Sequence, residues 1–143
     1  SYTRETYLDL KCRIARYYLP WTERNYDRLF HYLQEMRRVC GPTPIVFALI
    51  PDEFQVEDDL WDEMIARGGC TGMERDSLQR IIIRWLEQAG LPYVDYLPLL
   101  RAVPPLADGK RHCYHRQDGH FNVRGNQVAG EALARTLRPF LKR

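Results

Sequence analysis

The sequence predicts an α/β domain built on parallel strands, and three features carry that prediction. A continuous apolar run, Thr43–Ile50 (TPIVFALI), is bounded by prolines and rich in β-branched residues, as expected of a strand covered on both faces. A second run, Pro92–Leu97 (PYVDYL), follows an amphipathic helix and Gly90, and reads as the return leg of a crossover. Ile45–Ile50 and Tyr93–Tyr96 are therefore expected as parallel neighbours, flanked by amphipathic helices.

In chain order, Tyr2 to Tyr18 places Tyr7, Leu8, Leu10, Ile14, Tyr17 and Tyr18 near a helical period, and Pro20 ends the segment. A second helix is expected from Thr22 as N-cap, with Tyr26, Leu29, Phe30, Leu33 and Met36 on one face. Arg37 and Arg38 suit its last turn, and Gly41-Pro42 stops it. After the first strand, Pro51-Asp52-Glu53 reads as a polar turn. Asp58 or Asp59 then caps a short helix through Leu60, Trp61, Met64 and Ile65, ended by Gly68-Gly69.

Asp76 caps the next helix, which turns Leu78, Ile81, Ile82, Trp85 and Leu86 to the core and places Gly90 at C′. Beyond the second strand, Pro104-Pro105 and Ala107–Lys110 form a loop. The closing helix begins after Asn122 and is expected to bury Val128, Ala132, Leu133, Leu137, Phe140 and Leu141. Two strands fall short of the five or six usual in a doubly wound sheet, so the rest of the sheet is expected in polypeptide outside this chain. Exposed strand edges would also permit self-association.

The 143 residues, 45% hydrophobic and 28% charged, suit one domain over 1–143, apparently incomplete, with enough apolar material for a core. Lysine and arginine number 21 against 19 acids, a net charge of +2, which gives no electrostatic case for nucleic acid or a membrane surface. The longest apolar stretch, Ile45–Pro51, is far short of the ~20 residues of a membrane helix. Ser1–Thr6 has neither the plan of a signal peptide nor an initiator Met, so the chain reads as processed or cut from something longer, with the compartment open. Cys12, Cys40, Cys70 and Cys113 form no C-x-x-C pair and read as buried or idle thiols.

Three of the four histidines lie between His112 and Asn126 (HCYHRQDGHFNVRGN), while His31 sits on a polar helix with no chemistry around it. Asp118, His120 and Asn122 alternate around Gly119 just before the last helix. The loop can bring the Asp118 carboxylate to one imidazole nitrogen of His120, leaving the other to take a proton from a nucleophile. Asn122 reads as the helix N-cap. The plain structural alternative is a hydrogen-bonded loop pair closing a helix end. Two further readings are a metal site from His112, Cys113, His115, Asp118 and His120, and Cys113 as a nucleophile with His115 or His120 as base.

The succession of a helix, PIVFALIPDEFQV, a capped helix, GLPYVDYLPLL, and Tyr114 followed by RQDGHFNVRGNQVAGEALARTL resembles the C-terminal half of the SGNH (GDSL-like) hydrolase superfamily. It is closest to bacterial members ending in D-x-H, an aromatic residue, Asn, and Gly before the closing helix. The resemblance covers the chain from about Trp21 onward. It implies a three-layer α/β/α fold with a flavodoxin-like parallel sheet, and acyl-ester chemistry without a cofactor or metal. By it, His120 is the general base and Asp118 its carboxylate partner. The expected function is ester hydrolysis of the esterase or lipase type on a small-molecule or carbohydrate acyl ester.

The one-residue gap departs from the commoner D-x-x-H and is similar to that of alginate-type O-acetyltransferases, which makes acyl transfer the alternative. The family's G-D-S and G-x-N-D blocks do not occur here, and the two serines, Ser1 and Ser77, carry no nucleophile motif. The chain therefore offers the base half of a catalytic site, and the competing class is a non-catalytic α/β binding module.

Overall fold

A computed structural model describes residues 3–16, 23–67, 70 and 72–141. The elements run α1 (Arg4–Arg16), α2 (Glu23–Cys40), β1 (Phe47–Leu49), α3 (Glu53–Val56), α4 (Asp58–Ala66), α5 (Ser77–Gln88), β2 (Tyr93–Asp95), α6 (Tyr96–Arg101) and α7 (Val123–Leu137), followed by a 3₁₀ turn, Arg138–Phe140. β1 and β2 pair in parallel, with Phe47 opposite Tyr93, Ala48 opposite Val94 and Leu49 opposite Asp95. The crossover between them is the one read from the sequence. Among the described residues the sheet has these two strands alone, so the architecture is mixed α/β and mostly helical.

Both strands are shorter than their apolar runs. β1 is not covered on both faces: Ala48 is exposed and Ile50 is 67% exposed, because no element among the described residues packs over that face. β2 stops at Asp95 because that carboxylate accepts the Leu97 amide at 3.0 Å and caps α6, drawing Tyr96 and Leu97 into a helix instead of a strand. Pro98 fits within the first turn of α6, where a missing N–H costs nothing.

Two apolar clusters hold the chain together. One joins β2, α6 and α7 through Val94, Leu97, Leu100, Tyr114, Ala129 and Ala132. The other joins α1, α3 and α4 through Tyr7, Leu8, Phe54, Leu60 and Met64. Each fully buried side chain, such as Leu100 or Phe54, contributes about 1.5–3 kcal/mol.

α1 buries Tyr7, Leu8, Lys11, Cys12 and Ala15, so a lysine and a cysteine occupy positions that the periodicity assigned to Leu10 and Ile14. Cys12 is disulfide-bonded to Cys70 with a Cα–Cα separation of 5.7 Å. That corrects the reading of idle thiols, which holds for buried Cys113 and exposed Cys40.

α2 departs from its expected packing. Tyr26 is buried, Phe30 stacks on Trp85 with centroids 4.7 Å apart, and Arg37 reaches the Ala89 carbonyl at 3.1 Å. Leu29, Tyr32, Met36 and Val39, however, form an open apolar stripe, 37 to 74% exposed. Thr22, Tyr17, Tyr18, Pro20 and Gly68-Gly69 lie outside the described residues.

Asp52, read as part of a turn, caps α3 in a capping box with Gln55. Asp58 and Asp59 sit in the first turn of α4 instead of capping it, and Asp76 marks the start of α5 with its carboxylate turned to Arg80. α5 ends in a Schellman turn: the Gly90 amide donates to Glu87 O and the Leu91 amide to Leu86 O, with Gly90 at φ +63°. The last helix starts at Val123 as expected, but Leu141 is 77% exposed instead of buried.

Candidate functional site

The polar cluster occupies the connection from α6 to α7, a stretch without regular structure that needs outside partners for its backbone groups. Buried Glu57 supplies two of them, accepting the Arg111 amide at 3.0 Å and the Cys113 amide at 3.1 Å. Tyr114 pairs with Phe121 in an antiparallel bridge, and its hydroxyl donates to the Pro51 carbonyl at 2.8 Å. The His115 amide donates to the His120 carbonyl at 2.8 Å, so residues 115–120 close into a compact hairpin turn. Pro51 lies two residues past the end of β1, and the cluster is thereby fixed beyond the carboxyl end of the sheet, where ligands of open α/β sheets bind.

Asn122 does more than cap. Its Oδ1 accepts the amides of Arg124 and Gly125 at 2.9 and 3.1 Å, and its Nδ2 donates to the carbonyls of His112 and Tyr114 at 2.7 and 3.0 Å. One side chain thus ties the start of α7 to both sides of the loop. Gly125 is required because a Cβ there would lie 2.2 Å from the Cys113 carbonyl oxygen.

Within this frame Asp118 and His120 meet as the sequence predicts. His120 Nδ1 lies 2.7 Å from Asp118 Oδ1. With the carboxylate accepting, Nδ1 carries the proton and Nε2 is left as an open acceptor, the tautomer a general base requires. Gly119 between them takes φ +80°, a left-handed conformation suited to glycine. Both side chains are open to water, His120 at 83% and Asp118 at 53% exposure.

A second pair, absent from the sequence reading, stands beside the first. His112 Nε2 lies 2.6 Å from Asp108 Oδ2, and this bond holds the Asp108 carboxyl below its ordinary range. The i,i+4 spacing around the Gly109 turn was the available signal. The opposite ring nitrogen is engaged here, so His112 presents Nδ1, the more hindered nitrogen beside its own backbone, from a residue whose φ is 51°.

His112 lines a cavity of about 600 Å³ together with Glu53, Glu57, Tyr114, Arg116 and Gln117. Its lining also includes the ion pairs of Lys110 with Asp59, at 2.6 Å, and of Arg4 with Glu63. Burial raises the Glu53 carboxyl above its usual range, and the Tyr7 hydroxyl, which donates to it, is raised in turn by burial and by that bond. Asp118 and His120 do not line this cavity; Arg116 and Gln117 connect it to their turn.

The two other sequence readings fail on geometry. Cys113 is fully buried, and burial pushes its thiol up to about 11, with Glu57 adding to the shift, so it is not an activated nucleophile. His112, Cys113, His115, Asp118 and His120 do not converge: among the described residues no three His, Cys, Asp or Glu side chains are placed to share a metal ion. Ser77 opens α5 and donates to the Glu74 carbonyl at 3.3 Å, the first-turn role read from the sequence.

No helix among the described residues is long and apolar enough to cross a membrane. Comparisons of the chain with models of protein families, with curated proteins and with solved structures find no match.

Proposed function

We propose that this chain carries the base-bearing half of an SGNH-type serine esterase or O-acyltransferase, completed by polypeptide that brings the serine and the remaining strands of a three-layer α/β/α sheet. The observation that carries it is the bond from Asp118 to Nδ1 of His120, which leaves Nε2 open beyond the carboxyl end of β1. The free edge of the two-stranded sheet among the described residues supports the second half of the reading, since further parallel strands would pair with it.

In the proposed reaction the serine Oγ bonds to the acyl carbonyl carbon as Nε2 of His120 takes its proton. The tetrahedral intermediate collapses by breaking the bond to the leaving alcohol, which takes that proton back. Water in hydrolysis, or an acceptor hydroxyl in transfer, then repeats the sequence on the acyl-serine. Asp118 holds the ring and stabilises the imidazolium throughout. The substrate is a small-molecule or carbohydrate acyl ester.

The test is turnover of an activated acetyl ester by this chain joined to the polypeptide encoded ahead of it. His120→Ala is expected to lower kcat/KM by about 10²–10⁴-fold. Wild-type turnover in that variant would overturn the proposal. A non-catalytic binding module is the second reading, favoured by the 83% exposure of His120, which leaves the pair solvated and weak in this chain alone.

A further inference from the structure

An amphipathic helix ordinarily sends its lysines outward, with the stem along the surface and the ammonium in water. Lys11 does the opposite. It is 4% exposed in the middle of α1, its Nζ lies 2.7 and 2.9 Å from the two oxygens of Asp52, and the Tyr7 ring centroid is 5.1 Å away. Asp52 in turn caps α3 just beyond the carboxyl end of β1. The third neighbour is the turn at Gly119: a Cβ there would come within 3.0 Å of Nζ, so the ammonium lies against the backbone between Asp118 and His120.

Stability alone does not call for a cation at that place. A buried ion pair loses to desolvation much of what it gains by attraction, and well-packed apolar residues commonly replace one without loss. The geometry points to Lys11 as the positioning residue of the Asp118–His120 pair, its ammonium, anchored on Asp52, being the surface on which the turn at Gly119 rests. The neighbouring Cys12–Cys70 disulfide fixes α1 to the segment after α4, which keeps Lys11 from withdrawing.

Only the kinetic consequence rests on the proposed role of His120; the structural one stands without it. The experiment compares the wild-type chain with Lys11→Met/Asp52→Asn, which removes both charges of the ion pair together, by the ¹⁵N shifts of the His120 imidazole in its neutral form. Wild type is expected to show the Nδ1–H tautomer. The folded double variant is expected to revert to the Nε2–H tautomer that free histidine prefers. Gly119→Asn, which tolerates a left-handed backbone but adds a Cβ against Nζ, is expected to shift the tautomer in the same direction and serves if the double variant fails to fold.

In the completed enzyme the double variant should lose about 10²-fold in kcat with KM little changed, the cost of a displaced catalytic group. Retention of Nδ1–H in the folded variants would overturn the positioning role. An Nε2–H tautomer in the wild-type chain would instead overturn the reading of His120 as a held base, so the two failures are distinguishable.

Discussion

Asp118 engages His120 at Nδ1, whereas Asp108, ten residues earlier, engages His112 at Nε2. Two aspartate–histidine pairs of nearly equal length thus lie in one loop, and the choice of ring nitrogen separates them chemically. Only the first leaves Nε2 open, the nitrogen a general base would use. In the completed enzyme, Asp118→Asn should lower kcat by about 10²-fold, while His112→Ala should leave kcat near wild type. Steady-state kinetics on the two variants checks this, and the reverse ranking would move the base to His112.

The two glycines of α7 should respond oppositely to alanine. At Gly125 the new Cβ meets the Cys113 carbonyl oxygen at 2.2 Å, and the backbone must shift, at a cost of about 1–3 kcal/mol. At Gly130 nothing lies within 4 Å, and Gly130→Ala should stabilise the helix by about 0.5–1 kcal/mol. Denaturant midpoints of both variants test the pair.

Joining residues 58 apart in sequence, the Cys12–Cys70 bond should stabilise the chain by about 4 kcal/mol through loss of unfolded-state freedom. Reductant should therefore lower the denaturation midpoint of wild type. A Cys12→Ala/Cys70→Ala variant should show the lowered midpoint with or without reductant.

Glu53 should make stability fall with rising pH. Its carboxyl is raised in the folded chain by burial, so its contribution is fully present below the ordinary carboxylate value and is lost as pH rises through the folded value. Glu53→Gln keeps an acceptor for the Tyr7 hydroxyl and removes the buried charge. It should raise the midpoint at neutral pH and leave it unchanged in acid, as thermal melts across pH would show. Asp58 acts in the opposite sense: bonds from Arg111 and Arg75 hold its carboxyl low, and its exposure keeps the contribution small.

What could be read from the residues alone was mostly local. The Asn122 cap, Gly90 at C′ and the Asp118–His120 contact follow from residues acting within a few positions of themselves, and the pairing of β1 with β2, though 46 residues apart, follows from the order of strand, helix and strand. The misses are long-range. Lys11 is turned inward by Asp52, 41 residues away, and Cys12 by Cys70, contacts that helical periodicity does not contain. Leu29 and Met36 share the apolar face of α2 that periodicity defines, yet periodicity does not say what packs on that face, and both are open among the described residues. Asp52 passed for a turn residue because its capping box closes through a glutamine three residues on, followed by a helix of a single turn.

The most direct measurement is labelling of this chain, joined to the polypeptide encoded ahead of it, with a fluorophosphonate, followed by mapping of the modified residue. A serine outside Ser1–Arg143 should be modified stoichiometrically, and the rate should fall by about 10²-fold or more in His120→Ala. Absence of labelling, labelling at Ser77, or a rate unchanged by His120→Ala would contradict the assignment of His120 as the base of a serine acyl-transfer site.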